Sequence, residues 1–137
     1  MAKDFYHDNV RLALEKDGWL ITHDPYTVKV EEVGYEIDFG VEPLIAAEKD
    51  YSKIAVEVKS FVGPSTINEF HKAVGQFNDY SVALEIQEPQ RVLFLAIPED
   101  IWERFFQKRI IQRSLERIGA KIVVYNPTTN TIVKWIK

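Results

Sequence analysis

The feature that most constrains the fold is a short apolar run that carries two charges. Residues 53–61 read KIAVEVKSF, and the segment 54–58 is typical of a strand buried inside a mixed or parallel sheet. Glu57 and Lys59 interrupt this run, although burial penalises charges that lack partners. Because alternate residues of a strand point to the same face, we expect the two side chains to meet at one site.

Length and composition set the class of protein. The chain has 137 residues, of which 46% are hydrophobic and 28% charged, as expected of one globular domain spanning residues 1–137. The absence of cysteine excludes disulfides and thiolate metal sites. No segment is typical of a signal peptide or a membrane span, so we expect a cytoplasmic protein with no membrane partner. With a net charge of −4, any contact with nucleic acid requires a local basic patch.

Hydrophobic periodicity and turn residues predict an α/β fold with a mixed central sheet flanked by helices. The first helix is predicted to begin at Asp4 as its N-cap, and the second at a capping box over residues 66–69. Helices are predicted at 4–17, 66–84 and 98–118, and strands at 19–22, 28–33, 35–39, 44–47, 53–59, 91–97, 121–125 and 131–136. The strands from 35 to 59 are expected to be consecutive and antiparallel, with their last turn at 49–52, and the final two strands to form a hairpin.

Asp38 and Glu57 are the candidate metal ligands. Two carboxylates that converge at a sheet edge supply the oxygen ligands that Mg²⁺ or Mn²⁺ prefers. Lys59, on the same face as Glu57, would polarise a phosphoryl oxygen or assist an attacking water. This combination predicts metal-assisted hydrolysis of a phosphodiester. The competing interpretation is an ordinary alternating strand with Glu57 and Lys59 on a solvated face.

The register of the strands decides which acid faces Glu57. If the chain turns at 49–52, Glu57 is expected to pair near Ile45, which leaves Asp38 several residues away. A bulge at Gly40 or Pro43 would restore the pairing with Asp38. Otherwise the partner acid is Glu42 or Glu48.

Asp38 followed by the segment IAVEVK at 54–59 resembles the active-site signature of the PD-(D/E)xK nuclease superfamily, with Ile37 in the place of the proline. Nearly the whole chain resembles the cyanobacterial XisH family, through GW at 18–19, THDP at 22–25, LIAAEK at 44–49, GPS at 63–65, PED at 98–100 and IVKWI at 132–136. The resemblance implies a restriction-endonuclease-like α-β-β-β-α-β core with a C-terminal helix and hairpin. It also implies a controlling factor for excision of the fdxN DNA element, with an XisI-type companion protein.

Gln76 and Tyr80 form a second motif. The Q-x-x-x-Y pattern resembles one that follows E-x-K in some nucleases of recombinational repair, and its spacing places both side chains on one helix face. We expect this face to be offset from the apolar stripe and to orient the substrate. The alternative is a solvated Gln76 and a boundary Tyr80.

Resolvase-like members of the superfamily have an acid on the first helix, and Asp8 and Glu15 are both candidates for it.

Arg109, Arg113 and Arg117 recur at four-residue steps and predict a basic stripe on the third helix. Such a stripe would contact DNA phosphates independently of sequence. The alternative is a solvated face that Glu103 and Glu116 partly balance. Apolar positions on another side of this helix would serve the core or a second copy in a homo-oligomer: Trp102, Phe106 and Ile110.

The three histidines, His7, His23 and His71, are too scattered in sequence to predict a metal site.

Three functional hypotheses follow, of which the third is a purely structural subunit of the excision assembly. The first is a DNA endonuclease that depends on Mg²⁺ or Mn²⁺, in which Asp38 and Glu57 hold the metal, Lys59 stabilises the transition state, and Gln76 and Tyr80 orient the substrate. The second is a non-catalytic accessory protein that controls site-specific DNA excision by binding DNA or a protein partner.

Overall fold

A six-stranded mixed sheet organises the computed structural model of the chain, which describes residues 4–45, 49 and 51–137. The helices are α1 (His7–Lys16), α2 (Thr66–Gln87), α3 (Glu99–Arg104) and α4 (Arg109–Ile118). The strands are β1 (Trp19–His23), β2 (Tyr26–Val30), β3 (Val33–Ile37), β4 (Phe39–Pro43), β5 (Ile54–Val58), β6 (Val92–Pro98), β7 (Ile122–Asn126) and β8 (Thr131–Ile136). The predicted α/β class, with its flanking helices and its C-terminal helix and hairpin, is confirmed.

The sheet runs in the order β1-β4-β5-β6-β7-β8, and β2 and β3 form a separate hairpin. The pairs β5-β6 and β6-β7 are parallel, while β1-β4, β4-β5 and β7-β8 are antiparallel. Parallel neighbours need long crossover connections, and α2 and then α3 with α4 supply them. None of the helices in the described part of the chain is long and apolar enough to cross a membrane.

Both faces of the sheet are covered, so the central strands are apolar on each side. On one face, Phe70 and Phe77 of α2 pack with Ala55 and Leu95. On the other face, α1 packs on the sheet through Val10 and Leu14 against a second cluster. The alternating side chains of β5 therefore reach two different cores, and Glu57 shares the α2 side with Ala55.

The prediction of one strand over 35–39 is wrong, because the chain changes sheets at Asp38. Ile37 ends the small hairpin opposite Tyr26, and Phe39 begins β4 opposite Val56. The strand predicted over 44–47 is also wrong at Leu44 and Ile45, since β4 ends at Pro43. Proline has no N–H for a continued strand ladder. Residues 46 and 47 of that prediction lie outside the described residues.

The helix predicted over 98–118 is two helices with a turn over residues 105–108. Phe105 and Phe106 are adjacent, and a continuous helix would point them about 100° apart. In the turn, both rings contact Phe70, with centroid distances of 5.8 Å and 5.7 Å. Side-chain amides satisfy carbonyls at the break, because Gln107 donates to Trp102 O and Gln112 donates to Phe106 O.

The predicted helix starts are each displaced. α1 begins at His7, and Asp4 instead accepts the backbone N–H of Tyr6 through Oδ1. The N-cap of α2 is Ser65, whose hydroxyl accepts the N–H of Asn68 at 3.3 Å. The expected capping box at 66–69 is therefore shifted by one residue, and Glu69 accepts the N–H of Gly63.

Candidate functional site

Asp38 lies directly opposite Glu57. The register of β4 on β5 pairs Phe39 with Val56, and one further step along each strand brings residue 38 to residue 57. The expectation that Glu57 pairs near Ile45 is wrong, because the connection is much longer than a four-residue turn. β4 ends at Pro43 and β5 begins only at Ile54.

Backbone hydrogen bonds hold the two carboxylates in place. Glu57 Oε1 accepts the N–H of Asp38 at 3.2 Å, and Asp38 Oδ2 accepts the N–H of Val58 at 2.8 Å. Each side chain therefore uses one oxygen to continue the pairing of β4 and β5 where the regular ladder stops. The second oxygen of Glu57 lies near the Lys59 ammonium, and that of Asp38 lies near His7.

Lys59 and Gln76 form one wall of the site. The ammonium of Lys59 lies 3.4 Å from Glu57 Oε2 and donates a hydrogen bond to Gln76 Oε1. The predicted same-face placement of Glu57 and Lys59 is thus observed. Gln76 lies on α2 beside the lysine, where it fixes the direction of the ammonium. A hydrogen-bonded lysine of this kind loses little rotamer freedom when it contacts a substrate.

The surroundings of the two carboxylates disfavour their charged forms and raise their pKa values. Burial, followed by the charge of Asp38, raises the pKa of Glu57 to about 8, although Lys59 opposes the shift. Burial also raises the pKa of Asp38, against the opposing effects of the Val58 N–H and of His7. Two carboxylates this close in a largely buried site favour a state in which one of them holds a proton or a cation lies between them.

His7 is the residue that sequence reasoning missed. It is 4% exposed, its Nε2 lies 2.9 Å from Asp24 Oδ1, and its Nδ1 lies 3.3 Å from Asp38 Oδ1. Nδ1 is buried and makes no hydrogen bond with any residue that the structure describes. Arg11 completes the chain of contacts, with Nη1 2.6 Å from Asp24 Oδ2. The available signal was the spacing of His7 and Arg11 on one helix face.

Tyr80 does not lie on a face offset from the core. It is 4% exposed and belongs to the buried stripe of α2, with its ring 5.1 Å from that of Tyr35. The prediction of an offset stripe is wrong for Tyr80, since residues 73, 77, 80 and 84 recur at helical spacing and are all buried. Burial, and then the charges of Glu57 and Asp38, raise the pKa of Tyr80 to about 12. Its hydroxyl therefore keeps its proton next to the carboxylates.

The alternative acids do not face Glu57. Glu42 pairs with Leu20 and lies four residues along β4 from Asp38, about 13 Å at strand spacing. Glu48 lies outside the described residues. Asp8 and Glu15 are both exposed, and His7 is the α1 residue beside Asp38.

The other two histidines play no part in the site. His23 hydrogen-bonds Thr22, and His71 is exposed on α2.

The predicted basic stripe lies on α4, apart from the carboxylate site. Arg109, Arg113 and Arg117 are exposed and make no ion pair within the part of the chain that the structure describes. Glu103 and Glu116, the acids predicted to balance them, are exposed as well. Of the apolar neighbours, Trp102 and Phe106 are buried in the core and Ile110 is 73% exposed. These positions give a solvated basic face beside one exposed isoleucine.

The donor set of Asp38 and Glu57 fits a divalent cation. No group of three or more His, Asp and Glu side chains among the described residues could hold a metal ion by itself. Mg²⁺ and Mn²⁺ are commonly bound by one or two carboxylates, with water and substrate phosphate as the remaining ligands. The raised pKa values of both acids indicate a site that a cation would stabilise.

Comparison with known proteins identifies similar chains. The family model described as XisH protein matches residues 1–133. A crystal structure of an XisH family protein from Nostoc punctiforme PCC 73102 is 41% identical, covers 98% of this chain and 100% of that chain, and has a TM-score of 0.88. A second, of an fdxN element excision controlling factor protein from Anabaena variabilis, is also 41% identical, covers 96% and 98%, and has a TM-score of 0.87. Comparison with curated proteins gave no match.

Proposed function

The chain belongs to the XisH family, and on that premise we propose that it acts in the control of DNA excision as a divalent-metal-dependent DNA endonuclease. Its site is Asp38, Glu57 and Lys59. The observation that carries the proposal is the pairing of Asp38 with the buried Glu57; backbone N–H groups fix both carboxylates, and Lys59 lies beside Glu57. The relative from Anabaena variabilis, an fdxN element excision controlling factor, supplies the connection to excision.

Each residue of the site has a separate task. Asp38 and Glu57 would hold Mg²⁺ or Mn²⁺ through the oxygens that the strand hydrogen bonds leave available. An ion held there would lower the pKa of a water and neutralise charge that develops on the phosphate. Lys59, oriented by Gln76, places its ammonium next to Glu57 Oε2, where it would donate to a phosphoryl oxygen. His7 supports Asp38 from the opposite side.

Tyr80 has a supporting task. Its buried and protonated hydroxyl lies in the field of both carboxylates. We assign it to the wall of the site rather than to proton transfer, because a pKa of about 12 makes it a poor base and a poor acid near neutral pH.

Cleavage assays test the proposal. Purified protein is incubated with supercoiled, branched and single-stranded DNA in Mg²⁺ or Mn²⁺, beside Glu57→Gln, Lys59→Ala and the control Glu42→Gln. We expect cleavage that Glu57→Gln abolishes and that Lys59→Ala slows by roughly 10²- to 10³-fold. The control should retain cleavage, because Glu42 lies on β4 away from the site. Cleavage that persists in Glu57→Gln, or no cleavage by the wild type on any DNA, contradicts the proposal.

The unpaired arginines of α4 favour a second candidate function, a non-catalytic accessory protein that controls excision by contacting DNA. Such binding would weaken steeply with salt, because each phosphate that an arginine neutralises contributes about −0.9 to the slope of log affinity against log salt. Salt-dependent binding that disappears in Arg113→Ala with Arg117→Ala, together with no cleavage in the assays above, would select this function. If these substitutions leave DNA binding unchanged, the basic stripe is not the DNA-binding surface.

A further inference from the structure

An aromatic ladder leads from the strand that carries Lys59 out to solvent. We define the ladder as Phe5, Tyr6 and Tyr125. The Tyr125 hydroxyl donates to the carbonyl oxygen of Lys59 at 3.2 Å, and its ring lies 6.0 Å from that of Tyr6. The Tyr6 ring in turn lies edge-on to Phe5 at 5.0 Å. Tyr125 is fully buried and Phe5 is 72% exposed, so the ladder connects the main chain at Lys59 to the surface.

Hydrogen bonds fix the position of Phe5 beside the site. Asp4 Oδ2 accepts the backbone N–H of Ser60, the residue after Lys59, at 3.2 Å. Asp4 also closes the turn into α1, because its carbonyl accepts the N–H of His7 at 3.0 Å. Both bonds are made by Asp4, the residue before Phe5, and the second one spans Phe5, so they fix the backbone that carries its ring. An exposed aromatic ring that two anchored neighbours position costs little additional entropy when it stacks on a ligand.

Further apolar side chains follow Lys59 on the chain. Phe61 has a left-handed backbone, with φ of 56°, and a buried ring that contacts Phe106 at 5.5 Å. The next residue, Val62, is 56% exposed. Ile67, in the first turn of α2, is also largely exposed. Apolar side chains are therefore exposed both at Phe5 and in the segment that follows Lys59, at Val62 and Ile67.

The charges of the site disfavour a close approach of duplex DNA. Asp4 and Asp38 are acidic, Arg11 is paired with Asp24, and the Lys59 ammonium beside Glu57 is the cation of the site. A duplex carries one phosphate per about 1.7 Å of its axis, and a single strand one per about 3.4 Å. A single strand also exposes base faces that aromatic side chains stack on.

We infer that the proposed endonuclease acts on DNA that is single-stranded or unpaired at the cut, and that Phe5 is the platform on which a base next to the scissile phosphate stacks. This inference rests on the proposed function for the identity of the scissile bond. The stacking contact itself is independent of cleavage. Phe5 is then a substrate-binding residue, and the ladder sets the distance from the stacked base to Lys59.

Fluorescence anisotropy in chelator at low salt tests the inference on the full chain. The probes are fluorescein-labelled oligothymidine, its duplex with oligodeoxyadenosine, and an abasic strand of equal length. The abasic strand keeps the phosphates and removes the stacking faces. The variants are Phe5→Ala, Phe5→Trp and the control Leu12→Ala, which truncates an exposed apolar residue of α1.

We expect the single strand to bind more tightly than both the duplex and the abasic strand. Phe5→Ala should weaken binding of the single strand by roughly 5- to 150-fold, the usual range for loss of one stacked base. It should leave abasic binding unchanged. Phe5→Trp should restore affinity and Leu12→Ala should have no effect. Thermal unfolding of each variant checks that the fold is retained.

Equal binding of the abasic and the base-bearing strand, or an unchanged affinity of Phe5→Ala, overturns the inference. Metal-dependent cleavage of duplex DNA by the same preparation would leave the proposed function intact in that case. Base-dependent binding that needs Phe5, without cleavage of any DNA, would support the stacking platform and contradict the proposed endonuclease.

Discussion

Glu57 Oε1 accepts the backbone N–H of Asp38 at 3.2 Å, so the two acids of the site are tied together by the sheet itself. The reciprocal bond from Val58 N–H to Asp38 Oδ2 completes a closed arrangement across β4 and β5. Strands position side chains more accurately than loops do, which favours a site that requires two fixed carboxylates. The arrangement is costly for folding, because it buries like charges side by side.

The first prediction concerns the pH dependence of stability in metal-free buffer. Glu57 has an ordinary pKa of 4.5 and a folded pKa of about 8, so between these values the folded state keeps a proton that the unfolded chain releases. The free energy of unfolding should therefore fall as pH rises from about 5 to about 8, by an amount on the order of a few kcal/mol. Urea unfolding at several pH values measures this slope.

Glu57→Gln removes the titrating group and should flatten the slope, while the control Glu42→Gln should keep it. Saturating Mn²⁺ should suppress the loss of stability in the wild type, because the cation replaces the proton. If the free energy of unfolding changes with pH equally in the wild type and in Glu57→Gln, the pKa of Glu57 is not raised by folding.

The second prediction separates catalysis from metal binding at Lys59. Lys59→Ala should lower the cleavage rate by roughly 10²- to 10³-fold, the effect of removing one donor to a developing negative charge. The affinity for Mn²⁺ should stay the same or increase, since a cation beside Glu57 has been removed. Lys53→Ala, near the other end of the same strand, is the matched control. Equal cleavage rates for Lys59→Ala and Lys53→Ala would contradict the role of Lys59.

The third prediction concerns the support that His7 gives to Asp38. His7→Asn should reduce the affinity for Mn²⁺ by roughly 10- to 100-fold, the usual effect of losing a residue that orients a metal-binding side chain. His71→Asn is the control, because His71 is exposed on α2. Calorimetric titration of the two variants measures the difference. If both bind Mn²⁺ equally, His7 does not position Asp38.

The fourth prediction tests packing where β4 approaches the hairpin. A Cβ at Gly40 would lie 2.9 Å from His23 Nδ1 and 3.0 Å from Tyr26 Cδ2. The Tyr26 ring has little room to move because Arg91 stacks on it at 4.5 Å. Gly40→Ala should therefore destabilise the fold by about 1–3 kcal/mol.

Gly75, in the middle of α2, is the matched control. A Cβ there would have nothing within 4 Å, so Gly75→Ala should stabilise the protein by about 0.5–1 kcal/mol. Thermal unfolding measures both variants. A neutral Gly40→Ala would contradict the close packing around β4.

Local chemistry was sufficient to predict that Glu57 and Lys59 lie on one face, because charges inside an apolar strand are unusual and alternate residues share a face. The pairing with Asp38 could not be predicted in the same way. It depends on where β4 ends and β5 begins, and the intervening residues carry several turn signals of similar strength. Pro43 ends the strand earlier than the apolar residues Leu44 and Ile45 suggest.

Long-range packing explains the remaining differences. The sequence around His7 shows only that it shares a helix face with Arg11, and its contact with Asp38 exists only after α1 packs on the sheet. Similarly, helical periodicity continues through Phe105 and Phe106, and only their shared contact with Phe70 favours a break. Tertiary packing overrides local propensity at both places.

Calorimetric titration of Mn²⁺ into chelator-treated protein tests most directly whether Asp38 and Glu57 act as one cation site. The wild type should show one saturable site and release about one proton near pH 7, because Glu57 is protonated there before the metal binds. Asp38→Asn and Glu57→Gln should each abolish binding, and Glu42→Gln should retain it. Binding of equal affinity in all four proteins would contradict a cation site formed by these two acids.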